Sequence, residues 1–201
     1  PVIKEKIITA FHNNNNVLDD CALINIKRIY YLTLIAVPMR VLDIYLFADT
    51  PSAPTIWRRG IILSHSILLI LYTIIFLTTF ALKDSKQTNI IIHAVQYITS
   101  IIVMMSSIAI ATIDQLVTTN ITPLLIGSIS LGVIFLIRPL ISTLIYGVSY
   151  FTYYHLIALT ITDQQILLSN KVNGATIIAL GFLTSVIGWH DNYTNITQRR
   201  R

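Results

Sequence analysis

Long apolar runs separated by short polar connections organise the chain. The first run covers residues 29–47 and is interrupted by Arg40 and Asp43. Residues 61–82 carry no formal charge, and neither do residues 90–113, whose polar marks are His93 and Gln96. The stretch 121–161 is too long for one crossing. It breaks at Arg138-Pro139, where a charge meets a residue that cannot continue a helical ladder, and this divides it into 121–137 and 140–161. Residues 172–189 form the last run. About 20 residues at 1.5 Å rise cross the ~30 Å hydrocarbon layer, so the pattern predicts six spans. The runs are apolar all round, whereas barrel strands alternate over about 10 residues. The fold class is therefore all-α, an integral membrane bundle of six transmembrane helices.

Composition agrees. Hydrophobic residues make up 54% of 201 positions and charged residues 11%, against about 25% charged in soluble domains. Mean hydropathy is +0.71. The placement of charge matters more than the net +5. With both termini inside, Lys4, Lys6, Lys27, Arg28, Lys83, Lys86, Arg138, Arg199, Arg200 and Arg201 are cytoplasmic, and only Arg58, Arg59 and Lys171 are outside. Such a bias sets orientation. Trp57 and Trp189 at span ends are placed as interfacial anchors. Residues 1–28 form a cytoplasmic N-terminal segment, 29–189 the membrane domain, and 190–201 a basic cytoplasmic linker. Within the first segment, Val2, Ile3, Ile7, Ile8 and Phe11 can form an interfacial helix, ended by the asparagines at 13–16, or a plain tail. Pro1 in place of Met leads us to expect a fragment or processed product.

Ionisable groups at membrane depth are costly and need a reason. Arg40 and Asp43 share one helix face, three residues apart. Under this topology they lie in the outer half, as do His65, Asp114, Tyr154, His155, Asp163, Asn170 and Asn173. These nine residues are the candidate ligand site, with Arg40 as the anchor for an anionic or carbonyl group. The alternative is an Arg40–Asp43 pair that neutralises itself and tethers the first helix, with His65 as a packing residue. Gly174, Gly181 and Gly188 recur every seven residues and mark a close-packing seam on the last helix. Cys21 is the only cysteine, which excludes an intrachain disulfide. No His/Cys cluster has metal-ligand spacing, and no phosphate loop, HExxH or GxSxG appears. We expect no metal, no cofactor and no nucleic-acid partner.

Residues 155–201 contain Thr162, Asp163, Gln165, Leu168, Ser169, Asn170, Lys171, Val172, Asn173 and Gly174 in a TD-x-Q…LSNKVNG arrangement that leads into the last helix. This resembles the end of the six-helix membrane region of bacterial GGDEF diguanylate cyclases. The resemblance covers about a quarter of the chain. It implies a bacterial membrane sensor, working as a homodimer on a small-molecule or membrane signal. The controlled C-terminal cyclase would make cyclic di-GMP and lies outside this sequence, so the chain itself is not expected to be catalytic. The competing classes are a small transporter or channel, which calls for inverted repeats or broken helices, and an intramembrane enzyme, for which no catalytic set is visible.

Overall fold

The computed structural model describes residues 15–49 and 54–199, and all secondary structure among them is helical. Six helices follow in order: α1 (Asn15–Ala48), α2 (Thr55–Leu82), α3 (Ile90–Asp114), α4 (Thr122–Ile134), α5 (Pro139–Ile157) and α6 (Gln164–Arg199). Val2, Ile3, Ile7, Ile8 and Phe11 lie outside the described residues.

Four helices, α1, α2, α3 and α6, are long and apolar enough to cross a membrane. At 34 and 36 residues, α1 and α6 reach ~50 Å, well beyond the ~30 Å hydrocarbon layer. α4 is apolar but has 13 residues, about 20 Å of helix. α5 has 19 residues, but tyrosines, serines and a glycine interrupt its apolar surface.

The distribution of polarity is the reverse of that in a water-soluble bundle. Asn25, Thr33, Gln96, Ser100, Ser128 and Ser149 are buried, whereas Ile35, Ile70, Leu77, Phe151 and Leu159 are more than half exposed. Such continuous exposed apolar surface requires an apolar medium or a partner. Some buried hydroxyls are satisfied within their own helices: Thr33 Oγ1 donates to the Ile29 carbonyl and Ser107 Oγ to that of Val103.

Local chemistry explains the helix ends. Asn89 Oδ1 accepts from the Ile92 N–H and caps α3. Asp163 Oδ1 accepts from the N–H groups of Gln165 and Ile166 at 2.8 and 3.1 Å, so α6 starts at Gln164 and not at the apolar run that begins with Val172. Its other end continues past Trp189 because Trp189, Tyr193 and Ile196 pack on Val17, Leu18 and Cys21 of α1. That contact also carries α1 back to Asn15. Trp189 is therefore only 3% exposed, a core residue packed on α1 and not an interfacial anchor.

Between α4 and α5 the backbone is extended and buried at Phe135, Leu136 and Ile137. Unpaired peptide groups there would be costly. Asn25 meets the need from α1: its Nδ2 donates to the Leu136 carbonyl at 3.1 Å and its Oδ1 accepts from the Leu136 N–H at 2.8 Å. Nδ2 also donates to Gln96 Oε1 at 2.7 Å. Arg28 Nη1 donates to the Ile134 carbonyl at the α4 C-terminus, where a cation also meets the negative end of the helix dipole.

α4 is held close on both sides by small residues. A Cβ on Gly127 would run into Ser107 of α3. One on Gly132 would lie 2.5 Å from the Gly181 carbonyl oxygen of α6, and one on Gly181 would lie 2.7 Å from that of Ser128. The space beside Gly174 is filled by the Tyr153 ring of α5, and a Cβ on Gly188 would lie 3.6 Å from the Gly132 carbonyl oxygen, in ordinary contact. The heptad glycines thus form a seam within one chain, between α6 and the pair α4–α5. Hydrogen bonds reinforce it: Ser128 Oγ to the Ile177 carbonyl, Tyr146 OH to the Ser128 carbonyl, and Ser142 Oγ to Ser185 Oγ.

Gly181→Val is expected to destabilise the fold by ~1–3 kcal/mol through overpacking, read as a lower midpoint of thermal unfolding in detergent. Gly147→Val is the control, because a Cβ there meets nothing within 4 Å, and its midpoint should stay at the wild-type value. Asn25→Leu should cost at least as much as Gly181→Val, because it strands the Leu136 backbone groups.

Candidate functional site

Arg40 and Asp43 are brought to one face of α1 by their three-residue spacing, just beyond Pro38. Pro38 has no N–H to donate to the Leu34 carbonyl. Arg40 Nη2 pairs with Asp43 Oδ2 at 3.1 Å, with both side chains about a fifth exposed. Buried His65 reaches in from α2, its Nδ1 2.8 Å from Arg40 Nη1 and 3.4 Å from Asp43 Oδ2. One ring nitrogen cannot both accept from Arg40 and donate to Asp43. A guanidinium only donates, and its contact is the shorter. This geometry assigns Nδ1 as acceptor and Nε2 as the protonated nitrogen of a neutral imidazole. Phe47 stacks on that ring at 5.6 Å and 16° and holds it in place.

The triad lines a cavity of about 390 Å³ between α1, α2, α3 and α4. Tyr72 of α2, Ser106, Ser107 and Asp114 of α3, and Gly127 and Ser130 of α4 complete its polar wall, while Leu32, Leu68, Val103 and Ile126 supply apolar surface. Asp114 Oδ1 accepts from Trp57 Nε1 at 3.1 Å, which ties the end of α3 to the start of α2. Arg40 Nε is buried and has no hydrogen-bond partner. The formal charges are one cation against two carboxylates, each carboxylate already partnered. The arrangement can hold a polar group by hydrogen bonding inside a largely apolar hollow, as ligand pockets do.

The nine candidate residues therefore divide. Arg40, Asp43, His65 and Asp114 share the cavity. Asn170 is buried elsewhere: its Nδ2 donates to Gln115 Oε1 at 2.9 Å, and its carbonyl accepts from Tyr153 OH at 3.2 Å. Asp163 is the cap of α6. Tyr154, His155 and Asn173 are exposed. Lys171 Nζ lies 3.7 Å from the Tyr154 ring centroid, and His155 packs edge-on to Phe151 and Tyr154.

Sequence reasoning missed Tyr72, Ser106 and Ser130 at the cavity, because single hydroxyls in an apolar run carry no pattern of their own. Asn25 was missed as well, assigned to the cytoplasmic segment 1–28, although Val17, Cys21, Asn25, Ile29 and Thr33 repeat every four residues and are all buried, a helical stripe that extends the first span backwards. Comparisons with protein-family models, with curated proteins and with solved structures find no match to this chain.

Arg40→Met and Asp43→Leu should each lower the unfolding midpoint, because each leaves an uncompensated charge. The double variant should lose less than the sum, with a coupling of about 1 kcal/mol or more in a thermal-unfolding double-mutant cycle. Additive losses would show that the pair is not energetically linked.

Proposed function

We propose that this chain is a membrane sensory domain. A signal received in the outer cavity is passed across α4 to α6, which carries it to the inner face. The observation that carries this reading is the position of α4. Gly127 and Ser130 form part of the cavity wall, while Gly132 and Ser128 of the same short helix abut Gly181. A ligand that changes the cavity must displace α4 or be accommodated by it. Any displacement of α4 acts on a helix that runs without interruption to Arg199. Packed small-residue contacts favour discrete arrangements over gradual deformation, and differential affinity for two of them is what a sensor needs.

In this reading all six helices cross the bilayer of a bacterial cell. The 13 residues of α4 gain the missing length from the extended segment 135–138 at roughly 3.3 Å per residue. Backbone of that kind is tolerated at membrane depth where protein covers it. Both termini are cytoplasmic. The chain acts as a homodimer whose C-terminal helices set the spacing of output domains, for which the resemblance at residues 155–201 suggests diguanylate cyclases. The break between α4 and α5 belongs to the inner layer with Asn25 and Arg28, away from the centre of any span. It therefore lends the transporter alternative no midplane site.

Ser130→Leu fills the cavity from the α4 side and serves as a stand-in for an occupied site. With spin labels at Arg199→Cys in lipid nanodiscs, its distance distribution between the two copies should differ from that of the unsubstituted domain by about 2 Å or more, on the scale of helix shifts in such transitions. Val133→Leu, on the exposed face of α4, should leave the distribution unchanged. Identical distributions for all three would contradict the sensory reading.

A further inference from the structure

The polar cavity has a neighbour. A hollow of about 240 Å³ runs between α2 and α3, opening where Ile67 is half-exposed. Its walls are helical stripes with Ile67, Leu68 and Leu71 on one side and Ile102, Met105 and Ser106 on the other. Leu68 and Ser106 line both hollows. A charged cavity and an apolar groove are thus separated by a partition one side chain thick. The groove faces the surface that requires an apolar medium.

That juxtaposition matches a molecule with a polar head and a hydrocarbon tail. The chemistry of the head follows from what the cavity lacks. Asp43 is paired with Arg40, and Asp114 accepts from Trp57. Among the described residues, the group of this cluster left without a partner is a donor, the buried Arg40 Nε. A carboxylate or phosphate head would add a third negative charge beside one cation at membrane depth, which is costly. An ammonium head would bring more donors to a site that needs an acceptor. We propose that the cavity binds the head of a neutral carbonyl amphiphile, of the quinone, ketone or ester class. The ligand enters sideways from the bilayer and leaves its tail in the α2–α3 groove. This deepens the sensory reading and rests on its use of the same cavity.

The test uses the whole chain in lipid nanodiscs and photo-crosslinking by three probes with one tail: a long-chain methyl ketone, the matching fatty acid and the matching amine, each with a diazirine in mid-tail. The ketone should label peptides containing Ile67, Leu71 and Met105 saturably, and excess unlabelled ketone should remove the labelling. Arg40→Met should reduce saturable labelling at least tenfold. Ser106→Leu leaves the Arg40 cluster intact, so it tests the partition by itself, and should do the same. Unsaturable labelling along every lipid-facing helix, or stronger labelling by the acid or the amine, overturns the proposal. Saturable ketone labelling with no change in the Arg199 spin-label distances upholds the binding site while the sensory reading fails. Movement of those labels in Ser130→Leu without saturable ketone labelling overturns the lipid-entry proposal and leaves the sensory reading standing.

Discussion

The near-contact of the α4 backbone with α3 on one side and α6 on the other is the constraint on which the rest depends. It exists only because Gly127, Gly132 and Gly181 have no Cβ and Ser107 and Ser128 have small ones. In lipid, apolar side chains gain little by leaving the solvent, so close packing and interhelical hydrogen bonds supply association. The seam provides both, through backbone approach and the bonds of Ser128, Tyr146, Ser142 and Ser185. With α4 wedged in this way, α5 can be tyrosine-rich and modestly apolar, because Tyr146 and Tyr153 are buried at the seam. α6 can outrun the membrane, because its C-terminal end packs on α1.

Buried polarity then falls into two layers with different consequences. In the layer around Leu136, Asn25 satisfies that residue through both its amide groups and also bonds Gln96, and the extended segment behind it is closed. Such a network fixes structure and leaves little for a ligand to do. In the layer at the opposite end of α1, Arg40, Asp43 and His65 pair among themselves yet border open volume, and one guanidinium nitrogen is left over. A fully satisfied layer holds the bundle in register, and an incompletely satisfied one is where an additional molecule has something to gain.

Much of this was legible in the sequence. Long apolar runs announced α1, α2, α3 and α6, and Arg138-Pro139 announced the break before α5. The three-residue spacing of Arg40 and Asp43 announced their pairing, and the heptad glycines announced the seam. The cavity was half legible. Arg40, Asp43, His65 and Asp114 converge as their shared depth implied, but Asn170, Tyr154, His155 and Asn173 are at similar depth and go elsewhere. Depth follows from counting residues along a span. Which face of a helix turns toward which neighbour depends on packing, and Asn170 turns toward Gln115 because Gly174, one turn on, admits Tyr153. The helix ends were hidden for another reason. Hydropathy marks where the membrane is, whereas Asp163 and the Trp189–Cys21 contact decide where the helix stops.

In the proposed mechanism the Arg40 cavity and α6 communicate through α4, and Phe182 is placed to report it. Phe182 packs edge-on against Tyr146 at 6.1 Å, and Tyr146 in turn holds the Ser128 carbonyl of α4 at 2.8 Å. The most direct measurement is the fluorine-19 NMR spectrum of the chain carrying fluorophenylalanine, with the Phe182 resonance assigned by Phe182→Leu, before and after Ser130→Leu. Transmission through α4 predicts that the Phe182 line shifts or splits when the cavity is filled and stays fixed for Val133→Leu. A Phe182 line unchanged by Ser130→Leu, in a domain that remains folded, would contradict it.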